Sequence, residues 1–517
     1  MYREALLPSG QPMAAGQPLA AGQPMAAGLG ATVPGTAFAC AGCHLRAGLG
    51  RRAGRVPTPP IAAGNLFAPR YRHYPELAGP ERDDLPEALR TPLRRPAYTD
   101  ATLLAAIRDG VDPTGRPLDA AMPRYPLDDA AAGHLLAYLK TLSRNPSPGV
   151  TETTLAFATV IAGPVSAQDR IDLVTTLEHQ VALHNTLRET TRSGAFRSLA
   201  MKEAGLAYRT WSLAVWDLHG PPATWRAQLE AYQRAAPVFA LAGGLSYGDW
   251  APIHRFCADA GLPCLLPLTD FPVPGPGPTV YFSGGLRQEG AAAAVHLAAK
   301  DSSRTVLQVV QPTPEARALA AGFQGAWTGP LVTLTPPRLT AAYLAKVLRR
   351  HPKAILALWA GPEAYPALRR LAAGQDCPDL VLMSATHLGQ AVWDLPQQLR
   401  PNLLLTYPYR LERPASPMAP SGPTPVRLVT VDNDRRVRSR AFAVMQVLND
   451  LVGRMGRGFH REHFLDTLGQ LEDRDDTDYP WLNFGPGQTT LSSGSYLVRL
   501  PQGPLHGFIR QGDWVTP

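Results

Sequence analysis

Five residues near the amino terminus have the types and spacing for one particular chemistry: Cys40-Ala41-Gly42-Cys43-His44. Two thiols three positions apart can add across the vinyl groups of a porphyrin. The histidine that follows directly is then placed to ligate the iron. The run predicts covalent attachment of one haem c, with Cys40 and Cys43 as the thioether residues and His44 as an axial ligand. A redox dithiol or half of a zinc site would use the same pair. The chain has only 5 cysteines, however, and no second pair of this kind.

Such a haem needs a second axial ligand. Met122, in Leu118-Asp119-Ala120-Ala121-Met122-Pro123-Arg124-Tyr125, is the candidate, with His73 and His134 as rivals. His134 falls inside a helical pattern (Leu127, Ala131, Leu135, Tyr138, Leu139, Leu142) and is expected at the surface. Thioether ligation raises the reduction potential relative to two histidines and suits electron transfer. A second helix is predicted over 98–110, capped by Thr99 or Asp100 and stopped by Gly110. A haem motif, a Met-Pro segment and a terminal helix, in that order, resemble a small class I cytochrome c over about residues 30–145. The resemblance implies that Met122 is the sixth ligand and that the terminal helix packs across the motif helix. It also implies that a proline carbonyl accepts the Nδ1 hydrogen of His44. In Val56-Pro57-Thr58-Pro59-Pro60-Ile61, both Pro59 and Pro60 qualify.

These elements have to be held in a longer chain of 517 residues with 53 prolines and a formal charge of +8. Residues 1–29 contain Gly-Gln-Pro-Met/Leu-Ala-Ala in tandem and are expected as an extended low-complexity spacer. Residues 30–145 form the expected all-α cytochrome domain. Residues 146–152, with Asn145-Pro146-Ser147-Pro148-Gly149, read as a linker. Over 153–517 the pattern changes to short apolar strands alternating with helices. Strands are predicted at 153–162, 211–216, 238–241, 262–268, 279–283, 305–310, 331–334, 354–359, 380–383 and 403–406. Such alternation means parallel sheets covered on both faces.

There are too many strand–helix units for one small sheet, so two lobes are expected. Thr224-Trp225-Arg226-Ala227-Gln228-Leu229, Pro237-Val238-Phe239-Ala240-Leu241-Ala242-Gly243-Gly244, and Cys257 and Cys264 around Pro263 resemble the type I periplasmic solute-binding fold. That is the branched-chain amino acid receptor family of ABC importers. The resemblance implies a ligand cleft between two α/β lobes and helices near 439–454 and 460–471 crossing back to the first lobe. Ligands bind outside the carboxyl ends of parallel strands. The candidates there are Gly243, Gly244, Ser246, Thr269, Asp270, Trp359, Gly361, Ser384 and Thr386. Asp270, Tyr281 and Glu363 are candidates for the acidic group and the aromatic wall that an amino acid binder shows. Cys257 and Cys264, seven apart across a Gly-Leu-Pro turn, are expected to form a disulfide in an oxidising compartment. Cys377 is left as a buried free thiol.

No Ser-His-Asp order, phosphate loop or paired catalytic carboxylates emerges, so no enzymatic activity is expected. The acidic run Glu472-Asp473-Arg474-Asp475-Asp476 reads as a solvated loop, with calcium as the alternative. No block of Lys and Arg suggests nucleic acid, and no apolar stretch reaches a membrane span. Covalent haem attachment implies the periplasm, with a leader removed before the chain begins. Three functions follow: a one-electron carrier with a receptor-like domain that binds a small solute or docks a periplasmic redox partner; a solute receptor with an accessory cytochrome; or the electron-accepting subunit of a periplasmic quinoprotein dehydrogenase.

Overall fold

In the computed structural model the described residues are 1–11, 13–15, 33–34, 39–53, 56–71, 94–119, 122–192, 209–374, 377–411, 436–456, 458–475, 477–503 and 507–517. They form two compact units. One comprises Met1–Ser147 with Arg457–Asp466, the other Pro148–Gly456 with Thr467–Pro517.

The first unit is built on the helices Cys40–His44, Ala63–Leu66, Asp100–Arg108 and Asp129–Thr141. Thr99 caps the third through a reciprocal bond with Thr102, and Asp128 caps the fourth by accepting from Ala131 N. Their apolar faces meet: Leu103 and Ile107 from one, Ala131, Leu135, Leu136 and Leu139 from the other. Three short antiparallel strand pairs accompany these helices, so the unit is not purely helical. Tyr2, Ala5 and Met13 are buried in the same core. The expected spacer over 1–29 therefore starts as packed structure, because its first residues supply apolar side chains that the short helices leave room for. Residues 16–27 of the tandem repeat, and His73, lie outside the described residues.

The second unit contains two sheets. The first is entirely parallel, in the order Thr490–Ser492, Thr279–Ser283, Cys264–Leu265, Ala240–Ala242, Thr154–Ala162, Thr210–Leu218. The second runs Leu331–Leu334, Val306–Val310, Ile355–Trp359, Val381–Ser384, Leu403–Tyr407, Tyr496–Arg499, Ile509–Arg510. Its last two strands are antiparallel, which corrects the expectation of purely parallel sheets. The Ile509–Arg510 strand follows Tyr496–Arg499 after nine residues, too few for a crossover helix.

Counting along the chain, each sheet places its second strand outside its first and its third on the other side. Both lobes thus have a topological switch between strands one and three, where crevices open. The chain passes between the sheets after Ser283, after Tyr407 and after Ser492. The Gly285–Asp301 and Arg436–Met455 helices lie on the first two of these passages. Each sheet has its own core. Trp216, Trp225, Trp250 and Phe256 fill one, and Phe323, Trp327 and Trp359 fill the other.

The Gly285–Asp301 and Pro314–Ala326 helices approach until backbone meets backbone. A Cβ on Gly290 would lie 2.0 Å from Leu319 O, and one on Gly322 1.8 Å from Arg287 O. Neither carbonyl can move without breaking its helix. Gly322→Ala is therefore expected to destabilise the protein by about 3 kcal/mol, read as a lower denaturant midpoint with an unchanged slope.

Candidate functional site

Two sites can be built from the residues upward, one in each unit. In the first, the Cys40–His44 helix spaces Cys40, Cys43 and His44 three and four residues apart, so they share one face. Cys40 is half-buried against the core, and burial pushes its thiol up to about 11. Cys43 is exposed. His44 is buried, and its Nδ1 lies 2.8 Å from Pro59 O. The structure thus chooses Pro59 over Pro60. That bond makes Nδ1 the protonated nitrogen and leaves Nε2, which has no hydrogen-bond partner among the described residues, as the free lone pair. These residues fit a covalent haem: two thiols on one helical face beside an apolar core, and an oriented imidazole.

Met122 is half-buried in the loop that precedes the last helix of the unit. Arg124 organises that loop. Its guanidinium donates to the carbonyls of Met122 and Leu118, and it covers Gly110, where the positive φ of +72° leaves no Cβ in the way. His134 is exposed, as its place in the helix predicts.

The second site lies at the carboxyl ends of the strands in the second unit. Its centre is Asp270, in the loop after Cys264–Leu265. The Asp270 charge acts on Tyr247, Glu289, His387, Tyr409, Arg436, Arg440 and Tyr479. These come from both lobes and from the crossing helices. Arg436 and Arg440 are one turn apart on the Arg436–Met455 helix. Arg436 stacks on Tyr409, its guanidinium carbon 4.1 Å from the ring centroid. Tyr409 in turn packs on Tyr479 with centroids 5.3 Å apart.

Burial works against the charge of both arginines, but Tyr409 and Asp270 among their neighbours more than offset it, and both stay more basic than an ordinary arginine. Arg440 Nε donates to Arg436 O at 3.2 Å. Arg436 Nη1 is buried and has no hydrogen-bond partner among the described residues. An unpaired buried guanidinium nitrogen is costly unless an acceptor arrives. Asp478, held by Ser439, is the second carboxylate nearby; burial raises its pKa against the pull of Ser439, Arg440 and Arg436.

The strand-end candidates sort into three groups. Asp270 is central. Ser384 and Thr386 lie beside a carboxyl the sequence reading missed, Glu289. Glu289 is fully buried and accepts from Ser384 Oγ at 2.9 Å and Thr406 Oγ1 at 2.6 Å, while its other oxygen has no hydrogen-bond partner among the described residues. Gly243, Gly244, Ser246, Thr269 and Gly361 do turn work. Gly243 and Gly244 have φ of +67° and +120°. Ser246 accepts from Gly248 N, Thr269 from Phe271 N, and Gly361 N donates to Glu363.

Trp359 and Tyr281 are corrections. Trp359 is fully buried in the second lobe's core with Nε1 bonded to Gln308. Tyr281 is in the first lobe's core, its hydroxyl 2.8 Å from His254 Nδ1. Both point along the strand alternation into the packed layer rather than out of the strand end. Cys257 and Cys264 are buried free thiols packed against each other, so the expected disulfide is not formed here. Both fit the apolar core as reduced side chains. Cys377 is half-buried, with Asn402 Nδ2 3.6 Å from its sulfur. In the acidic run, Glu472 faces Arg454, and no group of three metal-ligating side chains forms among the described residues.

Of the residues that sequence reasoning missed, Arg440 left a signal in the sequence. Arg440 continues the apolar stripe Val444, Val447, Leu451 and Met455, a charged residue where a helix presents its buried face.

Neither a protein-family model nor a curated protein matches the sequence. Among solved structures, the fold is similar to a fatty acid ABC transporter substrate-binding protein from Thermomonospora curvata, with 12% identity over 72% of this chain and 95% of the other, TM-score 0.46. It is similar to an ABC transporter solute binding protein from Rhodopseudomonas palustris BisB5 in complex with 3,4-dihydroxy benzoic acid, with 11% identity over 70% and 98%, TM-score 0.48. An ABC transporter substrate-binding protein from Desulfitobacterium hafniense in complex with Leu has 13% identity over 69% and 100%, TM-score 0.45. At these identities no residue role is carried across.

Burial raises the Glu289 carboxyl from its ordinary 4.5 to about 7, against the bonds from Thr406 and Ser384. Between those values the folded protein holds a proton that the unfolded chain releases, so stability falls as pH rises through the window. The whole effect is on the order of 3 kcal/mol. Glu289→Gln, which is neutral at every pH, is expected to remove this slope in denaturation series across the same range.

Proposed function

We propose that the second unit is a receptor for a small carboxylate and that the first is a one-electron c-type cytochrome fused to it. The receptor reading is carried by the Arg436–Arg440 pair at the strand ends around Asp270, with a buried donor that no described residue satisfies. A carboxylate would satisfy Arg436 Nη1 and pair with Arg440. Asp270 would favour a ligand that also bears an ammonium or hydroxyl group, and Tyr409 and Tyr479 supply an aromatic wall. Small carboxylates with and without an ammonium or hydroxyl group are the molecules to test first. Titration calorimetry with leucine, benzoate and 3,4-dihydroxybenzoate is the direct test. Arg440→Gln is expected to weaken binding by about tenfold or more. Undiminished affinity in that variant removes the arginines from the site.

The cytochrome reading is supported by the His44–Pro59 contact. Cys40 and Cys43 would hold a haem covalently, with His44 and Met122 as the residues that would bind its iron. Held in that way, the group would supply reversible one-electron transfer. The chain's own part is positional. Pro59 fixes the imidazole plane and tautomer, and Arg124 fixes the carbonyls around Met122. Electron transfer with a periplasmic redox partner then follows, and no catalytic step is assigned to the chain. No helix among the described residues is long and apolar enough to cross a membrane.

Expressed with a cytochrome maturation system, the protein is expected to be red and to carry one haem per chain that survives denaturation. Cys43→Ser is expected to lose one of the two covalent links. Met122→Ala is expected to keep the haem but lose the methionine–iron charge-transfer band. A colourless product of unmodified mass overturns this half of the proposal.

A further inference from the structure

The loop that follows His44 is held from an unexpected quarter. Leu45, the residue after the histidine, has a positive φ of 65°, a conformation that a leucine enters only when its surroundings impose it. Three side chains do so. Tyr2 donates its hydroxyl to Leu45 O at 2.6 Å, and Ser143 donates to Ala47 O at 2.7 Å. The third is Asp466. One oxygen of its carboxylate accepts from Arg46 N at 2.7 Å, and the other lies 3.6 Å from Arg46 Nε. The Ala47 N–H faces the same carboxylate.

Asp466 comes from 420 residues farther along the chain, in the short Arg457–Asp466 segment that folds with the amino-terminal unit. The Asp466 side chain is 9% exposed. Two further contacts seat the segment: Arg3 with Glu462 at 3.0 Å, and Arg461 N with Ser147 Oγ at 3.0 Å. Only residue 456 separates it from the helix that bears Arg436 and Arg440.

A buried carboxylate that accepts from the Arg46 N–H and faces the guanidinium of the same residue fixes a loop strongly. Charge-assisted bonds are the stronger kind, and their loss leaves a buried donor unpaired. We propose that Asp466 is a positioning residue for the haem ligand His44, acting through Arg46 and Ala47, so that the amino-terminal module is completed by a segment from the far end of the chain. The proposal rests on the cytochrome reading above. The carboxylate also puts negative charge beside the proximal loop, which favours the ferric state.

The test uses the full-length haem-loaded protein. In the wild type, the Arg46 and Ala47 amides are expected to exchange as slowly as those of the 129–141 helix; fast exchange there overturns the proposal without any variant. In Asp466→Asn, their exchange is expected to accelerate by about tenfold and the midpoint potential to rise. Asp466→Glu, which keeps the charge, is expected to restore the potential at least in part. A variant that binds haem with unchanged exchange and unchanged potential overturns the proposal. Wild-type protein that takes up no haem overturns the cytochrome reading instead, and the amide exchange of the wild type separates the two failures.

Discussion

Two guanidinium groups are buried at the strand ends of the second unit, and the arrangement around them follows from that constraint. Burying a cation away from water is affordable only with carboxylates and aromatic faces around it. Asp270 and Asp478 supply the first, and Tyr409 supplies the second, stacked on Arg436. Those neighbours come from different lobes and different crossings of the chain. Packing the arginines therefore brings the loop after Cys264–Leu265, the segment after Leu403–Tyr407 and the Arg436–Met455 helix to one place. Among the described residues Arg436 keeps one donor without a partner, and that is what gives the cluster a chemical direction.

Glu289 extends the same logic into the second lobe. Its carboxyl is surrounded by Ser384, Thr386 and Thr406, each at the end of a strand or the start of a helix. Parallel sheets collect such residues because every strand ends on the same side. A carboxyl brought there is dehydrated, and burial outweighs the hydroxyl bonds that favour its charge. The basic side of the site and this acidic side are set by helices that belong to the first two passages between the sheets.

The amino-terminal unit depends on a different restraint. The short Cys40–His44 helix has little packing of its own, and the loop beyond it is tied down by contacts with Tyr2, Pro59, Ser143 and Asp466. A five-residue helix cannot persist on propensity. What holds its geometry is the set of side chains that reach it from other parts of the chain.

The sequence by itself determined what local rules encode. Cys40, Cys43 and His44 carry their chemistry in their spacing. Alternation of apolar strands with helices determined the α/β architecture, and most strands lie within a few residues of where the pattern puts them. Capping by Thr99 and the exposure of His134 were equally legible, because each depends on neighbours three or four residues away. Only the tertiary structure decided the rest. It chose Pro59 over Pro60, placed Trp359 and Tyr281 in cores rather than at strand ends, left Cys257 and Cys264 as thiols, and joined Asp466 to Arg46. It also assembled Asp270 with Arg436, Arg440 and Glu289. The physical reason is common to all of them: each depends on desolvation and on partners from distant parts of the chain, and a one-dimensional pattern records which residues are present but not which of them lose their water together.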